Sequence, residues 1–498
     1  MKALYIIGLT GLFFIPIHLS AYTTADGKTV PTLPVPSGTV VRCSTAATFN
    51  QAINSATSGR TILLKDGTYL MAGYEPMSLD VANITIRGES GDPTKVLVQG
   101  RGFESCTNVD EEMFVLYSGN ITLADFTIME SRCHGLKIEH ANADNILLHN
   151  MRFINIGERM IKGGSAYNPQ NWTIRYCHFE DNKVPAADRC GAHDAGNYIA
   201  GMDIMNGSGW IVSDSYFKNI KGASAGGRGG IFWWQGNTNM TVERNMFIGC
   251  DRSICFGNPS GSNDVDSAII RNNIINRGAY IGLELCYCSN VKVYNNTIYS
   301  SDATYSRTIH LYQNGSGNEI KNTIVYGGVL LNGGIMPDTS HNLRYIVGAF
   351  IFQSRALNDF HLLPTATAAI NKGMILGASL VDDWDKQTRD SIDATPDIGA
   401  DEYTPADAIE SIVPRSAETS LSVSPNPFNP VLTIHMNSYE PATLRVFDTA
   451  GRMVADLTTN LKNGCATWDA SALPSGIFVI VSTGNTGASK SVRATLLK

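Results

Sequence analysis

The nine residues Asn120-Ile-Thr-Leu-Ala-Asp-Phe-Thr-Ile128 open a series of similar segments along the middle of the chain. The later copies are Asn145-Ile-Leu-Leu-His-Asn-Met-Arg-Phe153, Asn171-Trp-Thr-Ile-Arg-Tyr-Cys-His-Phe179, Gly209-Trp-Ile-Val-Ser-Asp-Ser-Tyr-Phe217, Asn239-Met-Thr-Val-Glu-Arg-Asn-Met-Phe247, Ser267-Ala-Ile-Ile-Arg-Asn-Asn-Ile-Ile275 and Asn290-Val-Lys-Val-Tyr-Asn-Asn-Thr-Ile298. Successive copies begin 25, 26, 38, 30, 28 and 23 residues apart. Each copy alternates apolar and polar residues and turns at an Asn or Asp, which indicates a strand followed by a bend. The period predicts a solenoid with loops inserted in its longer intervals.

A second series of alternating segments lies between these copies. Its members are Gly135-Leu-Lys-Ile-Glu-His140, Gly201-Met-Asp-Ile-Met205, Gly230-Ile-Phe-Trp-Trp-Gln235, Gly282-Leu-Glu-Leu-Cys286 and Thr308-Ile-His-Leu-Tyr312. Two or three short strands per turn, with no helical pattern between them, predict an all-β chain folded as a parallel β-helix. A β-propeller is disfavoured, because its blades usually contain about 40 residues or more.

The first 21 residues have the pattern of a signal peptide. A charged Met1-Lys2 start precedes an apolar run from Leu4 to Ile17, and the small-residue end Leu19-Ser-Ala21 follows. The alternative is a membrane anchor, but the run is short and contains Pro16. No later segment of the sequence is long and apolar enough to cross a bilayer. We therefore expect export of the mature chain.

Composition excludes some partners. The 498 residues are 43% hydrophobic and 17% charged, with a formal net charge of -7 and no run of Lys or Arg. A phosphate backbone is not an expected partner, because nucleic-acid recognition needs a basic surface. The ten cysteines are an even number, which is compatible with disulfides of undetermined pairing. Cys250 with Cys255, and Cys286 with Cys288, lack zinc-finger spacing, so buried thiols or bridges are favoured over metal sites.

The segment before the repeats resembles the opening of a known superfamily. Thr48 to Ala56 predicts a short helix with Phe49, Ala52 and Ile53 on one face, which would cover the open end of a solenoid. Arg60-Thr-Ile-Leu-Leu-Lys-Asp-Gly-Thr-Tyr69 and Asn83-Ile-Thr-Ile-Arg-Gly88 follow it. This order is similar to that of pectin-lyase-like right-handed parallel β-helix proteins.

The resemblance covers residues 40–403. It includes Gly157-Glu-Arg-Met-Ile-Lys-Gly163, Phe360-His-Leu-Leu-Pro364, Ala369-Ile-Asn-Lys-Gly373 and Asp397-Ile-Gly-Ala-Asp-Glu-Tyr403. It implies a right-handed parallel β-helix. It does not imply one activity, since the superfamily contains lyases, hydrolases, epimerases and adhesins.

The last part of the chain is a separate domain by pattern. Residues 404–420 break every periodicity and indicate a linker. Residues 421–498 contain short alternating strands separated by turns, as in a small immunoglobulin-like β-sandwich. The tail resembles the C-terminal sorting domain of the type IX secretion system and, more loosely, a domain of flagellar hook-capping proteins. The first resemblance implies the type IX machinery as a partner and a secreted or outer-surface location. The alternative is an accessory domain on the carbohydrate side.

Strand register predicts which side chains share the outer face of the β-helix. Buried positions are assigned to Leu136, Ile161, Met202, Ile231, Ile254, Leu283 and Ile309. The next residues then face outward and form a column: Lys137, Lys162, Asp203, Phe232, Cys255, Glu284 and His310. Two residues farther on are Glu139, Gly164, Met205, Trp234, Gly257, Cys286 and Tyr312. Aligned strands lie about 4.8 Å apart, so neighbours in a column can touch.

Such a face has the groups that a uronic-acid polysaccharide requires. Aromatic faces stack on sugar rings, and cations bind carboxylates. The substrate-binding candidates are Lys137, Asp203, Trp234, Glu284, His310 and Tyr312. An ordinary solvated sheet surface is the alternative. The longest repeat interval adds Arg189, His193 and Asp194 from the insertion 181–196, and a Gly-rich segment adds Lys221 and Arg228.

The chemistry that fits these residues best is β-elimination from a uronate. Lys162 is the expected base, because a like charge at Lys137 favours the neutral amine. Catalytic candidates are therefore Lys162, His193, Arg189 and Arg228, with either arginine holding the substrate carboxylate. Asp203 with Glu284 could instead hold a cation such as Ca²⁺. As a hydrolase pair these two carboxylates are three strands, or about 14 Å, apart, which is too wide.

The sequence therefore predicts a polysaccharide-active protein, with a lyase as the favoured enzyme and a non-catalytic glycan-binding adhesin as the alternative. Two other features of the sequence are expected to have structural roles. The Asn-rich turns at Asn272-Asn273, Asn295-Asn296 and Asn322 are expected to form a stacked amide ladder. The carboxylates of Asp382, Asp383, Asp385 and Asp397 suit Ca²⁺, but we expect these residues to form the turns that close the last coil.

Overall fold

The computed structural model describes residues 22–262, 264–301, 305–345, 351–377, 380–389, 395–404, 421–436, 443–449, 451–460, 465–483 and 489–498. The predicted signal peptide and residues 405–420 of the predicted linker lie outside the described residues. The chain divides into two compact units, Met1–Phe352 with Phe360–Tyr403 and Gln353–Asp359 with Thr404–Lys498. Among the described residues, no helix is long and apolar enough to cross a membrane.

The first unit is a right-handed parallel β-helix of about ten turns, which confirms the predicted fold class. Its three sheets run the length of the solenoid. The first sheet contains Val40–Cys43, Thr61–Leu64, Thr85–Gly88, Thr122–Ala124, Leu147–His149, Thr173–Arg175, Ile211–Ser213, Asn237–Glu243, Val265–Arg271, Cys288–Tyr294, Glu319–Lys321 and Asp338–Ser340. The second contains Gly67–Leu70, Val96–Gln99, Thr127–Ser131, Arg152–Ile156, His178–Glu180, Tyr216–Lys218, Met246–Ile248, Ile274–Asn276, Thr297–Tyr299, Ile324–Tyr326 and Leu343–Tyr345. The third contains Met77–Leu79, Glu112–Leu116, His134–Ile138, Arg159–Gly163, Ala200–Met205, Gly229–Trp234, Arg252–Phe256, Ile281–Cys286, Ile309–Asn314 and Val329–Gly334.

The recurring asparagines mark bends of the backbone. The first residue of the repeated segment has φ between 54° and 58° at Asn120, Asn145, Asn171, Asn239 and Asn290. Asparagine enters this left-handed region more readily than most residues, because its short polar side chain can hydrogen-bond locally. The sixth residue of the segment, such as Asp125 or Asn150, has the same conformation and separates the first sheet from the second. The repeat therefore encodes two bends per turn.

Side chains of neighbouring turns stack on one another. The amide of Asn245 donates to Asn273 Oδ1 at 3.1 Å, and the Asn273 amide donates to Asn296 Oδ1 at 3.0 Å. Asn322 makes the same contact with Asn295 at 3.1 Å. The predicted amide ladder is thus present at Asn273, Asn295, Asn296 and Asn322, whereas the Asn272 amide donates to Asp382.

The interior is filled by stacked aromatic and aliphatic side chains. Phe153, Phe179, Phe217 and Phe247 form one stack, with ring centroids 5.0, 4.6 and 4.6 Å apart. The α-helix Ala46–Asn54 closes the first turn and buries Phe49, Ala52 and Ile53, as predicted. Residues 351–352, 360–377, 380–389 and 395–403 pack beside the last turns. The strands Phe352–Ser354 and Asp359–Leu362 pair with each other.

The second unit is a small antiparallel β-sandwich. One sheet contains Leu421–Ser424, Val431–Met436 and Cys465–Asp469, and the other contains Met453–Asp456, Thr443–Asp448, Gly476–Thr483 and Ser489–Leu496. Its core includes Phe428, Trp468 and Phe478. Among the described residues, the short 3₁₀ helices are Asp194–Gly196, Arg355–Leu357 and Thr458–Asn460.

Candidate functional site

The outer face of the third sheet has the predicted register. Adjacent strands pair Lys137 with Lys162, Lys162 with Asp203, Asp203 with Phe232, Phe232 with Cys255, Cys255 with Glu284 and Glu284 with His310. The preceding residue of each strand, from Leu136 to Ile309, is buried in the core as expected. We call the seven residues that these pairs join the outer column: Lys137, Lys162, Asp203, Phe232, Cys255, Glu284 and His310.

Asp203 is the most enclosed charge in the outer column. Its Oδ2 accepts hydrogen bonds from Arg159 Nε and Lys162 Nζ, each at 2.8 Å, and its Oδ1 accepts one from the Trp234 indole at 3.0 Å. The Asp203 and Arg159 residues are each 1% exposed. Burial alone would raise the pKa of Asp203, but the Arg159 and Lys162 charges and the hydrogen bonds outweigh it and lower the pKa. Asp203 is therefore a carboxylate that orients two cations.

Lys137 and Lys162 have separate carboxylate partners. Lys137 binds Glu112 and, at 2.7 Å, Glu139. Burial alone would lower the pKa of Lys137, but these two hydrogen bonds raise it. The group that contacts the Lys162 amine is the Asp203 carboxylate. The Lys137 ammonium, on which the expectation of a Lys162 base depended, is neutralised by its own partners.

The insertion 181–196 is held against the solenoid by a disulfide and a buried arginine. Cys190 forms a disulfide with Cys106, and the remaining described cysteines are free thiols. Arg189 is buried and donates to the carbonyl of Gly157. Its guanidinium also lies 3.9 Å from Glu158. Arg189 therefore fixes the inserted loop, and burial keeps it from the substrate carboxylate that the sequence assigned to it.

His193 extends from this loop toward solvent, with its side chain 57% exposed. Its Nδ1 lies 2.8 Å from Oε1 of Glu158, which is buried. When Nδ1 carries the proton and donates it to a carboxylate, Nε2 is left with a free lone pair. Within the described part of the chain, the hydrogen bond of the His193 side chain is the one made by Nδ1, and none is made by Nε2. An imidazole oriented in this way has the geometry of a general base.

Tyr198 brings the insertion and the third sheet together. The Arg159 guanidinium lies 3.6 Å from the centroid of its ring, and the Lys162 amine lies 5.8 Å from it. The His193 ring packs edge-on against Tyr198 with centroids 5.5 Å apart. We call Tyr198, Arg159, Lys162, His193 and Glu158 the Tyr198 cluster. In this cluster one imidazole and two cations surround the phenol ring of Tyr198.

Other predicted residues lie in the Gly-rich segment and in the strand Gly229–Trp234 that follows it. Arg228 is half-buried and binds Asp194 at 2.5 Å. Lys221, also half-buried, lies at the start of the same Gly-rich segment. Trp234 stacks on Phe232 with ring centroids 5.5 Å apart. The half-buried Trp234 ring thus lies beside Asp203 and packs on the buried Phe232.

An open pocket of about 610 Å³ lies at the carboxyl ends of the third-sheet strands. It is lined mainly by polar residues, including Tyr167, Asn168, Gln170, Asn206 and Thr238. The Tyr167 hydroxyl donates to Glu139 at 3.4 Å, so the pocket adjoins the Lys137 end of the face. Hydroxyl and amide groups of this kind suit sugar hydroxyls.

Glu284, His310 and Tyr312 form a separate group farther along the sheet. His310 Nδ1 lies 2.8 Å from Glu284 Oε1, and the His310 and Tyr312 rings are 6.1 Å apart. Glu284 lies three strands from Asp203 in the sheet order. Asp203 also has Arg159, Lys162 and Trp234 on its oxygens. These residues therefore do not fit the shared Ca²⁺ site that the sequence offered.

Sequence reasoning missed three members of the cluster. Arg159 and Glu158 lie in the segment Gly157–Gly163, from which only Lys162 was selected. Arg159 pairs in register with Ala200, and its side chain reaches Asp203 on that next strand. Tyr198 follows the insertion and has no repeat position. Only the path of the insertion, which sequence does not supply, places it over Arg159.

Comparisons with known proteins bear on both units. Residues 422–494 match the family model of the secretion system C-terminal sorting domain. Residues 188–325 match the family model of the right handed beta helix region. No curated protein matches the sequence. The type IX sorting domain implies secretion or a cell-surface location, which confirms the predicted localisation.

Solved structures share the solenoid. The structure of pectate lyase Pel9A is 12% identical, with a TM-score of 0.53, and the match covers 72% of this chain and 91% of that one. An alginate lyase from Paenibacillus sp. str. FPU-7 is 13% identical, with a TM-score of 0.41, covering 62% of this chain and 99% of that one. At 12% identity the likeness to pectate lyase Pel9A shows the fold alone. Together with the family matches, it confirms the predicted resemblance to pectin-lyase-like β-helix proteins with a type IX sorting domain.

Proposed function

We propose that this protein is an extracellular polysaccharide lyase that cleaves a uronic-acid-containing glycan by β-elimination at the Tyr198 cluster. The observation that carries the proposal is that a carboxylate-bound imidazole and two cations lie around the phenol ring of Tyr198. Elimination from a uronate needs a base for the C5 proton, a proton donor for the C4 oxygen and positive charge for the carboxylate. The cluster has at least one group of each kind: an imidazole, a phenol and a cation.

His193 is the proposed base. Glu158 holds the Nδ1 proton, so Nε2 accepts the C5 proton and the buried carboxylate stabilises the resulting imidazolium. The C5–H electron pair becomes the C4–C5 double bond as the C4–O bond breaks. Exposure of the His193 side chain lets a polymer reach it.

Tyr198 is the proposed proton donor, and its hydroxyl protonates the leaving oxygen. The Arg159 cation beneath the ring lies where it would stabilise the negative charge that develops on the phenol. Lys162, which is 13% exposed, and Arg228, which is half-buried beside Asp194, are the proposed cations for the uronate carboxylate. In this scheme Lys162 neutralises charge, because its amine already serves as a donor to Asp203.

A glycan-binding protein without catalysis is the second candidate. The stacked Phe232 and Trp234 rings favour it, since an aromatic face beside polar groups binds sugar rings without any chemistry. Both candidates use the same face and differ in whether a bond breaks.

The proposal is tested by incubating the full mature chain with polygalacturonate, alginate, a glucuronan and a glycosaminoglycan. Elimination creates an unsaturated uronate that absorbs in the ultraviolet, whereas hydrolysis creates reducing ends without that absorbance. We expect absorbance to rise with at least one polymer. Retention on a column of the same polymers with no cleavage would contradict the lyase and support the binding protein.

A further inference from the structure

A group of side chains of metal-ligating types lies far along the chain from the Tyr198 cluster, beside the last turns of the solenoid. It consists of His361 on the strand Asp359–Leu362, Asp385 in the turn after Trp384, and Asp401 in the segment 395–404. His361 Nε2 lies 2.6 Å from Asp385 Oδ2. One potential ligand atom from each of the three residues lies within 4.8 Å of the other two. Three segments that are distant in sequence thus meet at one point.

Asp401 has a carboxylate oxygen without a partner. The residue is 2% exposed. One oxygen, Oδ2, accepts the Leu362 backbone N–H at 2.6 Å. The other, Oδ1, is buried and has no hydrogen-bond partner among the described residues. Burying a carboxylate oxygen in this way is costly unless a cation or a proton compensates it.

Positive charge is scarce around this carboxylate. The neighbouring Asp383 is fully buried, and within the described ranges its oxygens accept backbone N–H groups, from Asp385, Gln387 and Glu402. Arg389 is directed to Glu402, at 2.9 Å. Over the described ranges, His361 is the one basic side chain in contact with Asp385 or Asp401. The Asp385 and Asp401 carboxyl groups therefore share a single imidazole.

A proton is the competing source of compensation. Burial raises the pKa of Asp401, and it raises the pKa of Asp383 to about 6, with the neighbouring carboxylates adding to the effect. A protonated Asp401 would still leave its hydroxyl without an acceptor, unless the hydrogen is directed at another carboxylate. The two explanations differ in whether metal changes stability.

We propose that His361, Asp385 and Asp401 bind one divalent transition-metal ion, for which Zn²⁺ is the probe, and that this ion fastens the segments that cap the solenoid. One imidazole with two carboxylates suits zinc-type ions, whereas Ca²⁺ prefers six to eight oxygen ligands. The ligands adjoin Phe360, Leu362 and Trp384, which belong to one apolar cluster with Ile398 and Ala400. An ion here would link these segments beside the last turns.

The chain contains a matched control. Among the described residues, two other buried groups meet the same spacing, but each includes a thiol: Glu284 with Cys286 and His310, and Cys133 with His134 and Glu158. Co²⁺ bound to His361, Asp385 and Asp401 has no sulfur ligand, whereas Co²⁺ bound to Cys286 or Cys133 gives a thiolate-to-metal band in the ultraviolet. The cobalt spectrum therefore separates the proposed site from both of the others.

The test uses the full mature chain after chelator treatment and dialysis. We expect about one equivalent of bound Zn²⁺, a rise of a few degrees in Tm at saturating Zn²⁺, and a Co²⁺ spectrum without a thiolate band. Asp401→Asn and His361→Gln should lose the bound metal and the rise in Tm, whereas Glu284→Gln should keep both. Asp385→Asn, at a half-buried position, repeats the test should a buried variant fail to fold.

Absence of Zn²⁺ binding by the wild-type chain would overturn the proposal and leave Asp401 protonated. A thiolate band, or metal binding and a Tm rise that persist in Asp401→Asn, would also overturn it by placing the ion elsewhere. None of these outcomes depends on the proposed lyase activity.

Discussion

The Arg159 guanidinium lies 3.6 Å from the centroid of the Tyr198 ring while its Nε donates to Asp203 at 2.8 Å. One cation is thus shared between a buried carboxylate of the third sheet and an aromatic ring that follows the insertion. The Tyr198 ring lies over the Arg159 guanidinium, and Arg159 is almost completely buried. A cation–π contact that is shielded from water is worth about 2 kcal/mol or more. This contact fixes Tyr198 next to His193 and Lys162.

Tyr198→Phe should remove the proposed proton donor and keep the ring over Arg159. We expect kcat on the best uronate polymer to fall about 10²-fold or more with little change in KM, as for the loss of a general acid. The Tm should stay close to that of the wild type, because packing is retained. An unchanged kcat would remove Tyr198 from the reaction.

Lys162→Ala should act mainly on substrate binding. Without its ammonium the uronate carboxylate loses one cation, so KM is expected to rise about tenfold, with a smaller fall in kcat. Steady-state kinetics at low ionic strength give both constants. A complete loss of turnover with an unchanged KM would instead make Lys162 the base, as the sequence suggested.

Asp203→Asn should destabilise the solenoid strongly. The substitution leaves the Arg159 and Lys162 cations without their common carboxylate, and breaking a buried pair costs about 3–5 kcal/mol. Denaturant unfolding measures the loss. Asp456→Asn is the matched control, because the Arg445–Asp456 pair is exposed and is expected to contribute nothing measurable. Equal stability of the two variants would contradict the role of Asp203.

The Cys106–Cys190 disulfide should stabilise the chain and hold the insertion that carries His193. The two cysteines are 84 residues apart, a separation for which loop entropy predicts about 4 kcal/mol. The Cys106→Ser/Cys190→Ser double variant should lose about 2–4 kcal/mol and much of its activity. Cys465→Ser removes an exposed free thiol and should change neither. A double variant with wild-type stability and turnover would argue against this restraint.

Acid should weaken the fold through Glu180. Burial alone would raise the pKa of Glu180, but hydrogen bonds from His178 at 2.8 Å and Lys218 at 2.9 Å outweigh it and lower the pKa to about 2. Burial lowers the pKa of His178, so the ring can donate in its neutral form. A lowered carboxyl pKa in the folded state gives stability that is present above pH 4.5 and is lost as the pH falls toward 2.

Glu180→Gln should therefore be less stable than the wild type at pH 7, by about 2–3 kcal/mol, and the difference should shrink between pH 4.5 and pH 2. Chemical denaturation at several pH values measures it. A difference that is the same at pH 7 and pH 2.5 would show that Glu180 does not contribute through its charge.

Most of the fold is predictable from the sequence, because local backbone conformation determines each repeat. Asn120 and its equivalents adopt positive φ at every turn, so spacing between them sets the length of each coil. Alternation then fixes which residues face outward, which is why the register from Lys137 to His310 was correct. The resemblance at both ends of the solenoid added the handedness.

The site is less predictable because its partners come from outside the repeat. Lys162 was selected by its neighbour Lys137, yet Asp203, one strand farther on, is the group that binds it. The location of Arg189 beneath the loop and that of Tyr198 over Arg159 depend on the path of an insertion held by a disulfide. Pairings between distant loops leave no periodic signal in one sequence.

The most direct test of the central claim is chemical rescue of His193→Ala with the polymer that gives the largest ultraviolet change. The account predicts that this variant produces no unsaturated uronate, that free imidazole restores part of the rate, and that His341→Asn, a change at an exposed histidine, behaves as the wild type. Wild-type rates in His193→Ala without imidazole would contradict the claim that His193 removes the C5 proton.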